Sequence, residues 1–171
     1  MYTRESNLSK SHHFFLFGAR GTGKTTFLDR IFKPNEQVWR IDLLDLEIEE
    51  KYSLAPNTLI EELDSQKEIK YVVIDEIQKL PKLLDLIHQY IQKHKRKIIF
   101  GLTGSSAKKL KQSGANLLAG RAFVYKMFPL TYSELGDDFD LNRYLEIGGL
   151  PEVYSFEKKR ELENKFLKSY A

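Results

Sequence analysis

The chain has 171 residues, 42% hydrophobic and 30% charged, a size and mixture that suit one globular domain with a well-buried core. Its 27 basic and 24 acidic residues leave a formal net charge of +3, too small to argue for nucleic acid, which keeps only weak support from local basic clusters. The absence of cysteine excludes disulfides and cysteine metal sites; with a polar start and no apolar run approaching about 18 residues, the chain reads as cytoplasmic with no membrane contact.

Residues 1–11 form a polar N-terminal segment. His12 to Gly18, reading His-His-Phe-Phe-Leu-Phe-Gly, is the short apolar run of a strand buried on both faces of a parallel sheet. Adjacent strand residues point to opposite faces and no third ligand is near, so His12 and His13 read as residues leading into the strand rather than metal ligands. Gly18-Ala19-Arg20-Gly21-Thr22-Gly23-Lys24-Thr25 follows and matches the phosphate-binding pattern G-x-x-x-x-G-K-[ST] between a strand and a helix. Its glycines turn backbone N–H groups inward to form an anion nest, and the helix start adds the positive end of its dipole. Lys24 is placed to reach the β- and γ-phosphates and Thr25 to put its hydroxyl on Mg²⁺, with Thr26 closing the nucleotide-binding run.

Lys24 to Phe32 reads as a helix ended by Pro34-Asn35, and Gln37 to Leu43 as a second strand. The acidic stretch from Asp42 to Glu50 is expected to be a solvated loop rather than a metal or acid/base set. Pro56 to Gln66 gives the next helix. Lys70 to Glu76 reads Lys-Tyr-Val-Val-Ile-Asp-Glu, four apolar residues running into two carboxylates, which is a Walker B pattern. At the strand's carboxyl end Asp75 is expected to hold Mg²⁺ and Glu76 to polarise an attacking water.

Pro81 opens a helix running to about Lys95, and the cluster Lys93-His94-Lys95-Arg96-Lys97 reads as cations complementing its C-terminus more than as a nucleic-acid patch. Ile98 to Leu102 makes another buried strand, tipped by Thr103-Gly104-Ser105-Ser106, where a hydroxyl could touch the γ-phosphate or simply form a local turn. Ala107 to Leu118 suggests short helices broken near Gly114, and Phe123 to Phe128 a last strand before Pro129. From Thr131 on, Leu135, Leu141, Tyr144, Leu145 and Ile147 fall at helical spacings, and a charged helix with Leu162, Phe166, Leu167 and Tyr170 ends the chain. The expected fold is therefore α/β: a doubly wound, mainly parallel five-stranded P-loop NTPase sheet with helices on both faces, plus a short C-terminal helical extension. The expected organisation is an ATPase core over 12–130, with 131–171 beginning a C-terminal region.

Gly-Ala-Arg-Gly-Thr-Gly-Lys-Thr-Thr (18 to 26), Val-Ile-Asp-Glu-Ile-Gln-Lys-Leu-Pro (73 to 81), Leu-Thr-Gly-Ser-Ser-Ala (102 to 107), Ala-Asn-Leu-Leu-Ala-Gly-Arg (115 to 121) and Phe-Pro-Leu-Thr (128 to 131) together resemble a group of prokaryotic AAA-type ATPases. In that group the ATPase core precedes a C-terminal domain of uncharacterised, nuclease-like fold. Its members are usually longer, so this chain is expected to be a truncated one carrying the core. The resemblance implies ATP rather than GTP, in agreement with the lack of an Asn-Lys-x-Asp signature. It also makes Ser105 the sensor residue beside Walker B, with Thr103 as second choice, and Arg121 a γ-phosphate-sensing arginine that acts in cis or from a neighbouring subunit of a homo-oligomer. The leading function is Mg²⁺-dependent ATP binding with slow hydrolysis, as a switch or motor. The alternatives are a regulatory nucleotide-binding module with little turnover and a DNA-associated protein.

Overall fold

The computed structural model describes residues 2–33, 37–94, 98–112 and 118–155. Five strands, β1 (His13–Phe17), β2 (Val38–Asp42), β3 (Tyr71–Asp75), β4 (Ile99–Gly104) and β5 (Ala122–Lys126), form one parallel sheet in the order β2-β3-β4-β1-β5. Each expected strand is present within a few residues of its sequence-based bounds. β4 runs further than its apolar run, through Thr103 to Gly104, because all six of its residues lie buried between β1 and β3.

Connection handedness decides where the helices lie. From β1 the chain passes through α1 (Lys24–Ile31) to β2 at the far edge, whereas the later steps, through α2 (Leu46–Leu54), α3 (Thr58–Ser65), α4 (Lys82–Lys93) and α5 (Ala107–Gln112), all run the opposite way. Right-handed crossovers therefore put α1 on one face of the sheet and the other helices on the reverse face. The strand alternation obeys this division. Phe14, Leu16 and Val73 point into a core with Phe27 and Leu28 of α1, while Phe15, Phe17, Val72, Ile74, Phe100 and Leu102 point into the larger core on the reverse face. Burying one such phenylalanine side chain stabilises the fold by about 2–3 kcal/mol.

The end of α1 is closed from β2. Arg40 Nη2 donates to the carbonyls of Leu28 and Phe32 at 3.3 and 3.1 Å, and its Nη1 pairs with Asp29 at 2.9 Å. This supplies the cation that a helix C-terminus favours; the expected stop at Pro34-Asn35 lies outside the described residues.

One expectation is corrected. The acidic stretch after β2 is not a loop: Asp45 caps the backbone N–H groups of Glu47 and Ile48, and Glu47 and Glu49 fall in the first turn of α2, where a helix dipole favours negative charge. The segment after Thr131 divides into three short helices, α6 (Tyr132–Leu135), α7 (Leu141–Ile147) and α8 (Pro151–Ser155). Thr131 and Asp140 cap the first two, so each cap starts a helix of its own. The continuation of α4 to Lys95, the rest of the basic cluster to Lys97, the break at Gly114 and the final helix with Leu162, Phe166, Leu167 and Tyr170 fall outside the described residues.

The polar N-terminal segment is built into the fold. Leu8, 7% exposed, joins the core beside α1, and the Ser9 N–H donates to the Tyr125 hydroxyl at 3.2 Å. Arg4 pairs with Glu134 at 3.1 Å, their side chains 8% and 5% exposed, and the Glu5 N–H donates to Glu134 Oε1 at 2.9 Å. Glu134 is held for this contact by its capping box with Thr131.

A nucleotide site at the carboxyl edge of the sheet

The loop after β1 turns to the α1 face, while the chain leaving β3 and β4 turns to the reverse face. Such a reversal opens a crevice at the carboxyl edge of a parallel sheet, the place where ligands bind in this architecture. The phosphate loop, Asp75-Glu76 and the tip of β4 all meet there.

Gly23 sits at φ 85°, ψ 25° as the N-cap of α1 and offers no side chain to the first-turn N–H groups, and no acidic residue falls in that turn. The helix end therefore faces the crevice with its positive pole and donors uncovered by side chains. The loop is braced from within: the fully buried Thr22 donates through Oγ1 to the Ala19 carbonyl at 2.8 Å, and the Gly18 N–H donates to the Gly104 carbonyl at 3.2 Å. Lys24, 6% exposed, curls back under the loop and donates through Nζ to the carbonyls of Gly18 at 2.8 Å and Ala19 at 3.3 Å, 3.9 Å from Glu76 Oε1.

Thr25 Oγ1 donates to Asp75 Oδ2 at 2.8 Å. The other oxygen of that carboxylate accepts from the Thr103 hydroxyl, and Thr103 Oγ1 in turn accepts from the Glu76 N–H at 3.2 Å. Asp75 is thus fixed by hydroxyls from two different elements. Glu76 follows at φ 55°, ψ 47°, a left-handed conformation that side-chain-bearing residues seldom adopt.

A cavity of about 430 Å³ opens above these groups. Arg20 to Phe27, Asp75 and Glu76 line it, and Tyr2, Leu44, Leu130 and Pro151 add apolar surface. Tyr2 is tied there from both ends: Arg30 Nη1 donates to its carbonyl at 2.9 Å, and its hydroxyl donates to Asp138 Oδ2 at 2.6 Å. Burial, with the adjacent Asp138 carboxylate, pushes the Tyr2 hydroxyl up to about 12.

Of the residues singled out from sequence, Gly18 to Thr26, Asp75 and Glu76 gather at this edge. Ser105 lies beside it, in the wall of a neighbouring and more open cavity of about 750 Å³ with Gly18, Lys108 and Lys126. The hydroxyl that reaches Asp75 is that of Thr103, buried in β4. Arg121 is not brought to the site within one chain. It precedes Ala122, which pairs in register with His13 at the start of β1, so it stands at the amino edge of the sheet while the phosphate loop leaves the carboxyl edge. A five-residue strand separates the two by on the order of 15 Å. Arg121 there donates to His88 Nε2 at 2.6 Å. His13 Nδ1 accepts from the Phe100 N–H at 3.1 Å, and no cluster of three or more His, Asp or Glu able to hold a metal occurs among the described residues.

Sequence reasoning missed Tyr2 and Arg4, which line this cavity from a segment whose composition carries no structural signal.

A phosphate loop and a Walker B carboxylate converging on the carboxyl edge of a parallel sheet define a P-loop nucleotide-binding protein. Residues 10–136 match the family described as AAA domain. The chain belongs to that family and is a nucleotide-binding AAA module. Among solved structures it is similar to domain III of the Thermotoga maritima replication initiation protein DnaA, with a TM-score of 0.46 and 16% identity over 73% of this chain. The similarity spans 58% of that solved chain. No curated protein matches. No helix among the described residues is long and apolar enough to cross a membrane.

Proposed function

We propose that the chain binds ATP with Mg²⁺ and hydrolyses it slowly, as a switch or motor, within the group of prokaryotic AAA-type ATPases whose core precedes a nuclease-like region. The observation that carries this reading is the convergence of Lys24, Thr25, Asp75 and Glu76 on one cavity. In the bound state Lys24 would leave the Gly18 and Ala19 carbonyls for the β- and γ-phosphate oxygens, and the first-turn N–H groups of α1 would hold the same phosphates. Thr25 Oγ1 and Asp75 are hard oxygen donors already 2.8 Å apart, which suits an ion that takes few protein ligands and completes its shell with phosphate and water. Mg²⁺, when bound there, supplies charge neutralisation on the transferring phosphoryl group. The Glu76 carboxylate, which lines the cavity, would accept a proton from the attacking water. Tyr2, Leu130 and Pro151 add apolar lining against which a base could pack.

Arg121 would serve a neighbouring subunit, because its own site lies at the other edge of the sheet. An arginine that neutralises phosphoryl charge can contribute roughly a thousandfold in rate, so an isolated chain is expected to turn over well below the usual enzyme median of about 10 per second.

Titration of the chain and of Lys24→Ala with a fluorescent ATP analogue tests the binding half. Tight binding lost in the variant supports the reading, and unchanged affinity contradicts it.

A further inference from the structure

Glu76 and Ser105 are joined by one side chain. Gln78, in the 3-10 turn Ile77–Lys79 after β3, donates through Nε2 to Glu76 Oε2 and, at 3.3 Å, to Ser105 Oγ. A carboxylate only accepts, so the amide must present its nitrogen to Glu76, which turns its own oxygen away. Gln78 Oε1 is buried there with no hydrogen-bond partner among the described residues. It lies where a Cβ added at Gly104 would meet it at 2.5 Å. An unpaired buried acceptor costs about 1–3 kcal/mol, and the left-handed backbone of Glu76 adds a cost of similar order. Both are tolerated at one spot, beside the carboxylate that lines the nucleotide cavity.

The two oxygens of Glu76 have different surroundings. Oε2 is anchored by Gln78, whereas Oε1 stands 3.9 Å from Lys24 Nζ. We propose that Gln78 is a positioning residue for hydrolysis: its amide, braced by Ser105 and seated against Gly104, fixes the Glu76 carboxylate so that one oxygen faces the attacking water. The inference rests on the hydrolytic role of Glu76 given above. It assigns Ser105 to the support of that carboxylate, not to contact with the γ-phosphate.

Gln78→Leu removes the donor, and Gly104→Ala displaces the amide from behind while leaving Gln78 in the chain. Each is expected to lower kcat by roughly ten- to a hundredfold, since misplacing a catalytic group by about 1 Å costs up to about a hundredfold. Affinity for Mg²⁺-ATP should stay within about twofold of the parent, because the amide makes no contact with the nucleotide cavity. In a Glu76→Gln background Gln78→Leu should lower the single-turnover rate no further, since it acts through a group already lost. An unchanged kcat in both variants, a loss of affinity as large as the loss of kcat, or a further loss in the Glu76→Gln background overturns the inference. A parent chain without any turnover contradicts the hydrolytic reading itself and this inference with it; turnover that vanishes in Glu76→Gln but survives in Gln78→Leu contradicts the inference alone. Should Gln78→Leu fail to fold, Gly104→Ala and its double variant with Glu76→Gln carry the same comparison.

Discussion

Thr25 Oγ1 donates a hydrogen bond to Asp75 Oδ2 at 2.8 Å, joining the first turn of α1 to the end of β3. This separation is one that two oxygen ligands of a shared Mg²⁺ ion would have. Thr25→Ala is expected to leave the fold intact and to raise the Mg²⁺ concentration that half-saturates ATP binding by at least about tenfold, read by titrating Mg²⁺ at fixed ATP. An unchanged Mg²⁺ requirement would exclude Thr25 from that shell.

Arg4 and Glu134 are both nearly enclosed, and removal of Arg4 leaves the Glu134 carboxylate buried without its cation, held only by the Glu5 and Thr131 N–H groups. Burial lowers the Arg4 pKa, and Glu134 works against that shift. Arg4→Ala should cost about 2–4 kcal/mol in urea unfolding, most of which Glu134→Gln added to it should return, because the second change removes the stranded carboxylate. Additive losses in the double variant would show that the two act independently.

The pair explains why the N-terminal segment was not legible. Residues 1–11 carry no apolar period, and their anchor lies some 130 positions away, a separation at which sequence offers no cue to pairing. The strands were legible for the opposite reason: each buried strand is a short apolar run, and the phosphate loop and the Asp-Glu pair fall at strand ends, where spacing alone places them on one edge. α2 was misread because Asp45 was counted as charge when its role is to cap. Thr103 ranked below Ser105 because the resemblance favoured the residue after the strand, while the extent of β4 depends on burial by its neighbours.

Glu62 gives a stability effect with a definite sign. Burial alone would raise its pKa, but hydrogen bonds from Lys51 and from the Tyr52 hydroxyl outweigh that and hold the carboxyl below its ordinary value. A carboxyl depressed in the folded state contributes stability above its unfolded pKa of about 4.3 and loses it as pH falls through the lower folded value. The parent should therefore exceed Glu62→Gln at neutral pH by about 1 kcal/mol or less, since the cluster is partly exposed, and the gap should close in acid below about pH 4. A gap that widens on acidification would contradict the assignment.

Arg121, on the amino edge, is predicted to act across a subunit boundary. Arg121→Ala keeps Glu76 but supplies no arginine, whereas Glu76→Gln keeps the arginine but cannot hydrolyse. Mixing the two inactive chains should therefore restore turnover, with a rate per chain that rises with concentration. Failure of every mixture to exceed the separate chains would remove Arg121 from the reaction.

The central claim, ATP hydrolysis assisted by Glu76 at the edge shared with Lys24 and Asp75, is tested most directly by Mg²⁺-ATP affinity and steady-state phosphate release from the parent chain and Glu76→Gln side by side. The amide keeps the shape of the side chain but cannot accept a proton from water, so affinity should match within about twofold while phosphate release falls by about a hundredfold or more. Equal phosphate release from the two chains would contradict the account.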